Sequence, residues 1–472
     1  MKHALNGLST LDLAAAMAAF SGFSAVADVP LLVTSAEDSG EGTLRAALET
    51  AAKSDSLTQI LIATDGDIEV GSTLTYAGTG PLAIHGKGQT IKTSVDTTLL
   101  NISQGADLTL IELNLEGPGN FSIENQGGTG KAIFVDVRDD QTGVVSFILD
   151  DVDISGFADY GVLISDCDIV DNCGAGRGGA GNGSDASILV RLNDVKIDDV
   201  GNGHFDADGL RVDERGPGDI LFYAKDSAFT NAGADGIELD EGQEGSVFAT
   251  AVDTRFDDNG EYCDPEILKS FLPSDAEGKF EDGEFKEADV PPAVTGSPDD
   301  GCFERDVELY ESGSVKEYEI SLDFDDGFDI DEAGPGDLWA LIVDSSIKGN
   351  DDEGLDFGEE DEGNLKLGIW NVEATGNTDD GLKIVESGEG NLSALLSKLT
   401  SRDNGGYGAD FRQIDEGALT VTVDRSRTSG NDDGEETDLR VDQRGSGEGT
   451  LRVSDSEFED GIKANNVKVI EE

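Results

Sequence analysis

The sequence predicts an all-β chain, a right-handed parallel β-helix solenoid closed by a short N-terminal capping helix. Three observations predict it. A glycine-led segment recurs at a spacing of 27 residues, apolar and polar residues alternate within it, and an asparagine returns once per repeat. In register the segments read Gly209-Leu-Arg-Val-Asp-Glu, Gly236-Ile-Glu-Leu-Asp-Glu, Gly327-Phe-Asp-Ile-Asp-Glu, Gly354-Leu-Asp-Phe-Gly-Glu, Gly381-Leu-Lys-Ile-Val-Glu and Gly408-Ala-Asp-Phe-Arg-Gln. The first and third places after each glycine are apolar, so Leu210 and Val212, or Leu355 and Phe357, face one interior. A second strand follows, because Ile220, Val247, Leu338, Leu365, Leu392 and Leu419 each lie eleven residues beyond their glycine. Asn350, Asn377, Asn404 and Asn431 recur at the same spacing of 27. Stacked at ~4.8 Å, their amides make a hydrogen-bonded ladder at a corner. Left-handed helices and calcium rolls need shorter periods, and propeller blades need roughly 40 or more residues.

From the N-terminus, residues 1–27 read as an export signal. Lys2 and His3 precede an apolar stretch over 11–23, and Ala25-Val26-Ala27 supplies the small-x-small cleavage pattern. The expected product is a single β-helix domain over 28–472, secreted to the exterior, the cell surface or the periplasm. No later stretch is apolar enough to cross a bilayer, so no membrane insertion is expected. Leu44, Ala47, Leu48 and Ala51 fall at helical spacing, which predicts a helix over 43–52 covering the open end of the stack. Irregular coils follow, with strands near 108–115, 132–137, 144–150 and 188–197. Loop excursions are expected at 167–186 and 260–305, and the repeat is read as resuming at 307–313, which mirrors 382–388. Four cysteines in an exported chain imply two disulfides, Cys167–Cys173 and Cys263–Cys302.

The run from Val33-Thr34-Ser35-Ala36-Glu37-Asp38 through Ser39-Gly40-Glu41-Gly42-Thr43-Leu44-Arg45-Ala46-Ala47-Leu48 resembles a known entry motif. It is that of secreted bacterial right-handed β-helix proteins, including polymorphic outer-membrane and CSLREA-type chains. Ile84-His85-Gly86-Lys87-Gly88 is similar to the apolar-x-G-x-G turn that follows there. The resemblance covers about sixty residues and implies a pectate-lyase-like solenoid. It implies little about chemistry, since such chains are often surface proteins.

Asp and Glu number 100 against 32 Lys and Arg, for a net charge of −68. That field excludes nucleic acid as a partner. The acids are ordered in columns. The fifth place after the glycine reads Glu214, Glu241, Glu311, Glu332, Glu359 and Glu386, then Gln413, and the fourth includes Asp213, Asp240 and Asp331. Outward carboxylates at coil spacing repel by roughly 1 to 4 kcal/mol per pair. Divalent cations, Ca²⁺ above all, would offset this, since calcium accepts irregular sets of oxygen ligands. Screening in a salt-adapted protein is the plainer account.

For catalysis, the fold resemblance implies comparison with calcium-dependent polysaccharide lyases, in which a basic side chain takes the proton beside a uronate. Lys383 and Arg412, flanked by Asp356 and Asp410, are the candidates, and Arg211 beside Asp213 and Glu238 is a second. Ordinary cross-strand ion pairs are the plainer reading of all three. Asn377-Thr378-Asp379-Asp380-Gly381 resembles the N-T-D-G element of polygalacturonases. The same string is the ladder turn of each coil, and the G-H-G and R-I-K elements are missing. His204 lies in a Gly-rich turn near Asp206 and Asp208. The expected function is an acidic, calcium-stabilised scaffold that binds extracellular polysaccharide or a surface glycan. The alternative is a calcium-dependent polysaccharide lyase.

Overall fold

The computed structural model describes residues 29–122, 127–167, 183–204, 206–260, 272–280, 283, 285–291, 303–310, 312–322, 324–431 and 437–471. The stretch 1–27 expected to be an export signal, and Cys173, Cys263, Cys302 and Glu311, lie outside them.

Each coil contributes one strand to a 12-stranded sheet and up to two to a 22-stranded sheet. One coil runs Phe328–Ala333 in the narrower sheet, then Leu338–Val343 and Ser346–Lys348 in the wider one. Pairing between coils is parallel and in the register of the repeat. Leu210 lies on Ile237 and Glu214 on Glu241, and Leu355 lies on Phe328. The alternating burial of Leu338–Val343 shows the period-two pattern turning Leu338, Ala340 and Ile342 inward. These residues join one continuous core along the stack. The parallel β-helix that the repeat predicts is therefore present.

Two corners are built by specific chemistry. Between the two strands of the wide sheet the chain passes through a left-handed residue in successive coils, including Asp253, Asp344, Asn371, Lys398 and Arg425, with φ between 49° and 60°. At the next corner the asparagine ladder is complete and buried. Asn259 Nδ2 donates to Asn350 Oδ1 at 3.0 Å, Asn350 to Asn377 at 3.0 Å, Asn377 to Asn404 at 3.0 Å and Asn404 to Asn431 at 2.9 Å. The ladder explains the glycine that opens each strand. A Cβ on Gly354 would lie 2.5 Å from the Gly381 carbonyl oxygen and 2.8 Å from Asn377 Nδ2.

At the N-terminal end, α1 (Leu44–Ala51) packs Leu44, Ala47, Leu48 and Ala51 into the core, and the Thr43 side chain caps its Ala46 amide. The first excursion has ended by Asp185, where the strand Asp185–Val200 begins. The second differs from expectation. Residues 307–309 do not resume the coil. Phe303–Leu309 pairs antiparallel with Val315–Leu322 in a separate three-stranded sheet, while Glu238 and Glu241 stack directly on Asp329 and Glu332. The resemblance to 382–388 misled because alternation marks a strand without saying which strand it joins. Val290, Val315 and Tyr318 form a small core of their own there, with Phe280 and Phe285 stacked at 4.2 Å. Where the solenoid resumes, Phe256 stacks on Phe328 at 5.2 Å and on Phe229 at 5.7 Å.

Candidate functional site

The glutamate column is real, but it does not line the surface. Glu214, Glu241, Glu332, Glu359 and Glu386 are all 0% exposed, as are Gln413 and Gln443 above them. Glu241 and Glu332 pair directly, so these two coils are adjacent in the column, and Glu311 lies outside the described residues. The chain does turn at the fifth place, and the turn carries the side chain inward against the following loop. Glu241 Oε1 accepts from the Gly245 amide at 3.0 Å and Glu386 Oε1 from the Gly388 amide at 3.0 Å. The remaining oxygens face the carboxyl groups of adjacent coils. Burial, then the neighbouring carboxyls, push Glu214 and Glu332 up to about 10 and Glu359 to about 9. Burial also raises Glu241 and Glu386 to about 7, against the pull of the glycine amides. Oxygens of all five glutamates meet no hydrogen-bond partner, and a proton shared between stacked carboxyls would satisfy them.

The outer face of the narrow sheet carries the remaining candidates, and most are in ion pairs. Arg211 Nε bonds Asp213 at 2.8 Å, and its other end bonds Glu238. Arg215, fully buried, grips Asp240 through both terminal nitrogens. Asp213 and Asp240 are therefore held by arginine. Lys383 Nζ lies 2.8 Å from both Glu353 and Asp356. Burial opposes its charge, yet Asp356 and Glu353 outweigh burial and hold the ammonium above its ordinary range. Arg412 bonds Asp410, which also takes Arg440 at 2.5 Å. A base must be free to accept a proton near neutral pH, and none of these cations is. His204 keeps its turn, with Nδ1 3.9 Å from Asp159 Oδ1.

Between the Arg211 and Lys383 pairs the carboxylates are in excess. Asp326, Asp352 and Glu353 bring one oxygen each within 4.8 Å of one another, as do Asp326, Asp329 and Asp356. Asp206, Asp208 and Glu238 do the same, but the Arg211 guanidinium already sits among them. Burial and then neighbouring carboxylates raise Asp326, Asp329 and Asp352, the last to about 11. Glu353 is lowered, because the Lys383 ammonium beside it outweighs its burial. These acidic clusters could bind a metal ion.

Beyond Lys383 the face opens into a cleft of about 490 Å³ lined by Glu353, Asp379, Asp380, Lys383, Tyr407, Arg412 and Arg440. Arg440 lies over the Tyr407 ring at 4.5 Å, and Lys463 Nζ donates to its hydroxyl at 2.9 Å. Burial raises Asp379 and Asp410 to about 6 and Asp380 to about 9. The sequence reading missed Tyr407, Arg440 and Lys463. Ala409 pairs with Leu439, thirty residues on, and Asp438 stands where the glycine would be. The signal was there in Leu439-Arg-Val-Asp-Gln, which repeats Leu210-Arg-Val-Asp-Glu.

No family model matches this chain, and no curated protein does. Among solved structures, ORF18 of Geobacillus virus E2 aligns with a TM-score of 0.44 and 10% identity over 84% of this chain. This chain spans 62% of the length of that one. The pectate lyase Pel9A gives 0.39 and 12% identity over 87% of this chain and 81% of its own. The A-module of a mannuronan C-5 epimerase from Azotobacter vinelandii gives 0.35 and 11% identity over 93% and 95%.

Proposed function

We propose that this chain is an exported, non-catalytic β-helix scaffold that binds divalent cations, calcium first, on its acidic face and meets an extracellular polysaccharide or surface glycan there. The single observation that carries this reading is the distribution of charge on that face. Arg211, Lys383 and Arg412 are committed to carboxylates, while the carboxylates around Asp326 outnumber the cations within reach. Asp326, Asp329 and Asp352 would hold the ion, with Glu353 and Asp356 shared with the Lys383 ammonium. Calcium suits them because it takes roughly six to eight oxygens in irregular geometry and completes its shell with water or sugar hydroxyls. Bound there, it would neutralise the face and bridge to a uronate. The buried glutamate column is better served by protons. Export after residue 27, one domain over 28–472 and the pairings Cys167–Cys173 and Cys263–Cys302 belong to the same proposal.

A second reading has one observation in its favour. Asp379 lines the cleft beside Lys383, and burial raises both it and Asp410, fully buried against Arg440, to about 6. That combination suits acid–base cleavage of an acidic polysaccharide, with a carboxyl as the base and Lys383 as the substrate clamp. A panel of acidic polysaccharides, assayed for unsaturated uronate and for new reducing ends with and without calcium, separates the two. The scaffold reading expects calcium-dependent binding with neither product. Turnover abolished by Asp379→Asn would establish the enzyme instead.

A further inference from the structure

The corner that buries the glutamates is also where a row of short turns closes the solenoid. Glu214, Glu241, Glu332, Glu359 and Glu386 stack in register, and Gln413 and Gln443 continue the stack. Glu241 ends its strand and the next begins at Val247, so residues 242–246 form a turn. Residues 334–337, 361–364 and 387–391 stand in the same place after Glu332, Glu359 and Glu386, and 414–418 and 444–448 after the two glutamines. These turns are folded down onto the column. A Cβ on Gly336 would lie 2.6 Å from Glu332 Oε1 and 1.6 Å from the Gly245 carbonyl oxygen, and one on Gly363 would be as confined. Inside, the charges do not balance. Asp166 flanks Glu214 at one end of the column, and Asp415 lies near Glu386 at the other. The arginines at this corner are committed elsewhere, Arg215 to Asp240, Arg412 to Asp410 and Arg444 to Asp442. Glu332 has no exposed surface, and neither of its carboxyl oxygens meets a hydrogen-bond partner.

We propose that this column is a proton-operated latch. Protons shared between neighbouring carboxyls hold the turns shut over Glu241, Glu332, Glu359 and Glu386, and their loss opens this edge of the solenoid while both sheets stay paired. Carboxyls on adjacent coils are ~4.8 Å apart along the stack, and one can donate to the next only while a proton lies between them. Without it, like charges face each other away from water. The turn is the part that yields. A few residues swing out and admit water, whereas the sheets are tied by parallel ladders and by one continuous core. The turn after Glu214 is pinned separately, since the Arg215 amide donates to Asp166 at 2.8 Å. An amide donates and accepts at any pH, so the glutamine-closed turns stay shut. Burial raises Glu332 to about 10 and Glu241 and Glu386 to about 7, above the 4.5 of a glutamate in water. Opening therefore releases protons, and its equilibrium constant rises by up to about tenfold per pH unit for each proton released. The latch is closed in acid and loosens from neutral pH upward. It needs no cation on the acidic face and does not depend on the function proposed for that face.

Hydrogen exchange on the full-length protein, followed peptide by peptide at pH 6 and pH 8.5 and corrected for intrinsic rates, reads each turn separately. Protection over 242–246, 334–337, 361–364 and 387–391 should fall by about tenfold or more. The turns 414–418 and 444–448 should not change, and they serve as controls within the same molecule. At pH 6, where an exposed glutamate is ionised, the infrared carbonyl band of protonated carboxyl groups should persist. It should shrink when Glu332→Gln and Glu359→Gln are combined, and that variant should keep 334–337 and 361–364 protected at pH 8.5. Protection lost equally from the glutamine-closed turns, or lost from no turn, would overturn the inference. So would a protonated-carboxyl band that the double variant leaves unchanged.

Discussion

Gln413 lies in register on Glu386, both fully buried at the same corner, so a column that begins as carboxyls ends as amides. Gln413 Oε1 accepts from the Leu392 amide at 3.1 Å, and Gln443 repeats this on Leu419 one coil later. An amide has both donors and acceptors and can occupy this column at any pH. A carboxyl matches it only while it holds a proton.

Stability should therefore fall as pH rises. The five glutamates bind protons more tightly folded than unfolded, so their contribution is complete below the unfolded value of 4.5. It is lost as pH rises through about 7 at Glu241 and Glu386 and about 10 at Glu332. Thermal melts at constant ionic strength should give a higher Tm at pH 5 than at pH 8.5. A Tm that rises over that interval would show these carboxyls to be ionised and otherwise compensated.

Changing Glu241, Glu332 and Glu359 to Gln should extend the amide column downward. The triple variant should gain Tm at pH 8.5, by an amount equivalent to roughly 1–3 kcal/mol, and gain little at pH 5. Equal effects at both values would mean that proton sharing plays no part.

Lys383 is not a free surface lysine, so Lys383→Ala should destabilise the fold. It strands Glu353, 2% exposed, and Asp356. Denaturant titration should show a loss of roughly 2–3 kcal/mol at neutral pH, smaller at pH 5 as Glu353 takes up a proton. Unchanged stability would show that the pair is not formed in solution.

Calcium should raise the Tm at constant ionic strength, and sodium should not. A hundredfold excess over Kd is worth ~2.7 kcal/mol when only the folded state binds. Asp326→Asn should flatten the response, because Asp326 is common to both carboxylate clusters. Glu332→Gln should leave it intact. A response carried by Glu332 instead would return the ion to the buried column.

The excursion between Gly260 and Asp325 should be removable. Its antiparallel sheet and small core are its own, and Glu238 already pairs with Asp329 across the gap. A short Gly/Ser turn in its place should preserve the β-sheet circular dichroism and cost at most a few kcal/mol. Loss of that signal would mean that the excursion holds the two coils together.

The sequence by itself determined the coil. Period-two alternation tied Leu355 and Phe357 to the interior, and the 27-residue return of Asn350, Asn377, Asn404 and Asn431 determined the ladder, because stacked coils repeat their environment. It also located the turn at Glu332 and Glu359, where strict alternation fails. Only the tertiary structure decided which way those glutamates point. The direction depends on the loop that closes over them and on the Gly245 and Gly388 amides that receive them, contacts that no spacing encodes. The same holds for the segment near Val307, whose alternation fits a coil strand but whose partner is Tyr318. It holds too for Lys383, whose two carboxylate partners, Glu353 and Asp356, both come from the preceding coil. Composition fixes how many charges a chain carries, and packing decides which of them meet.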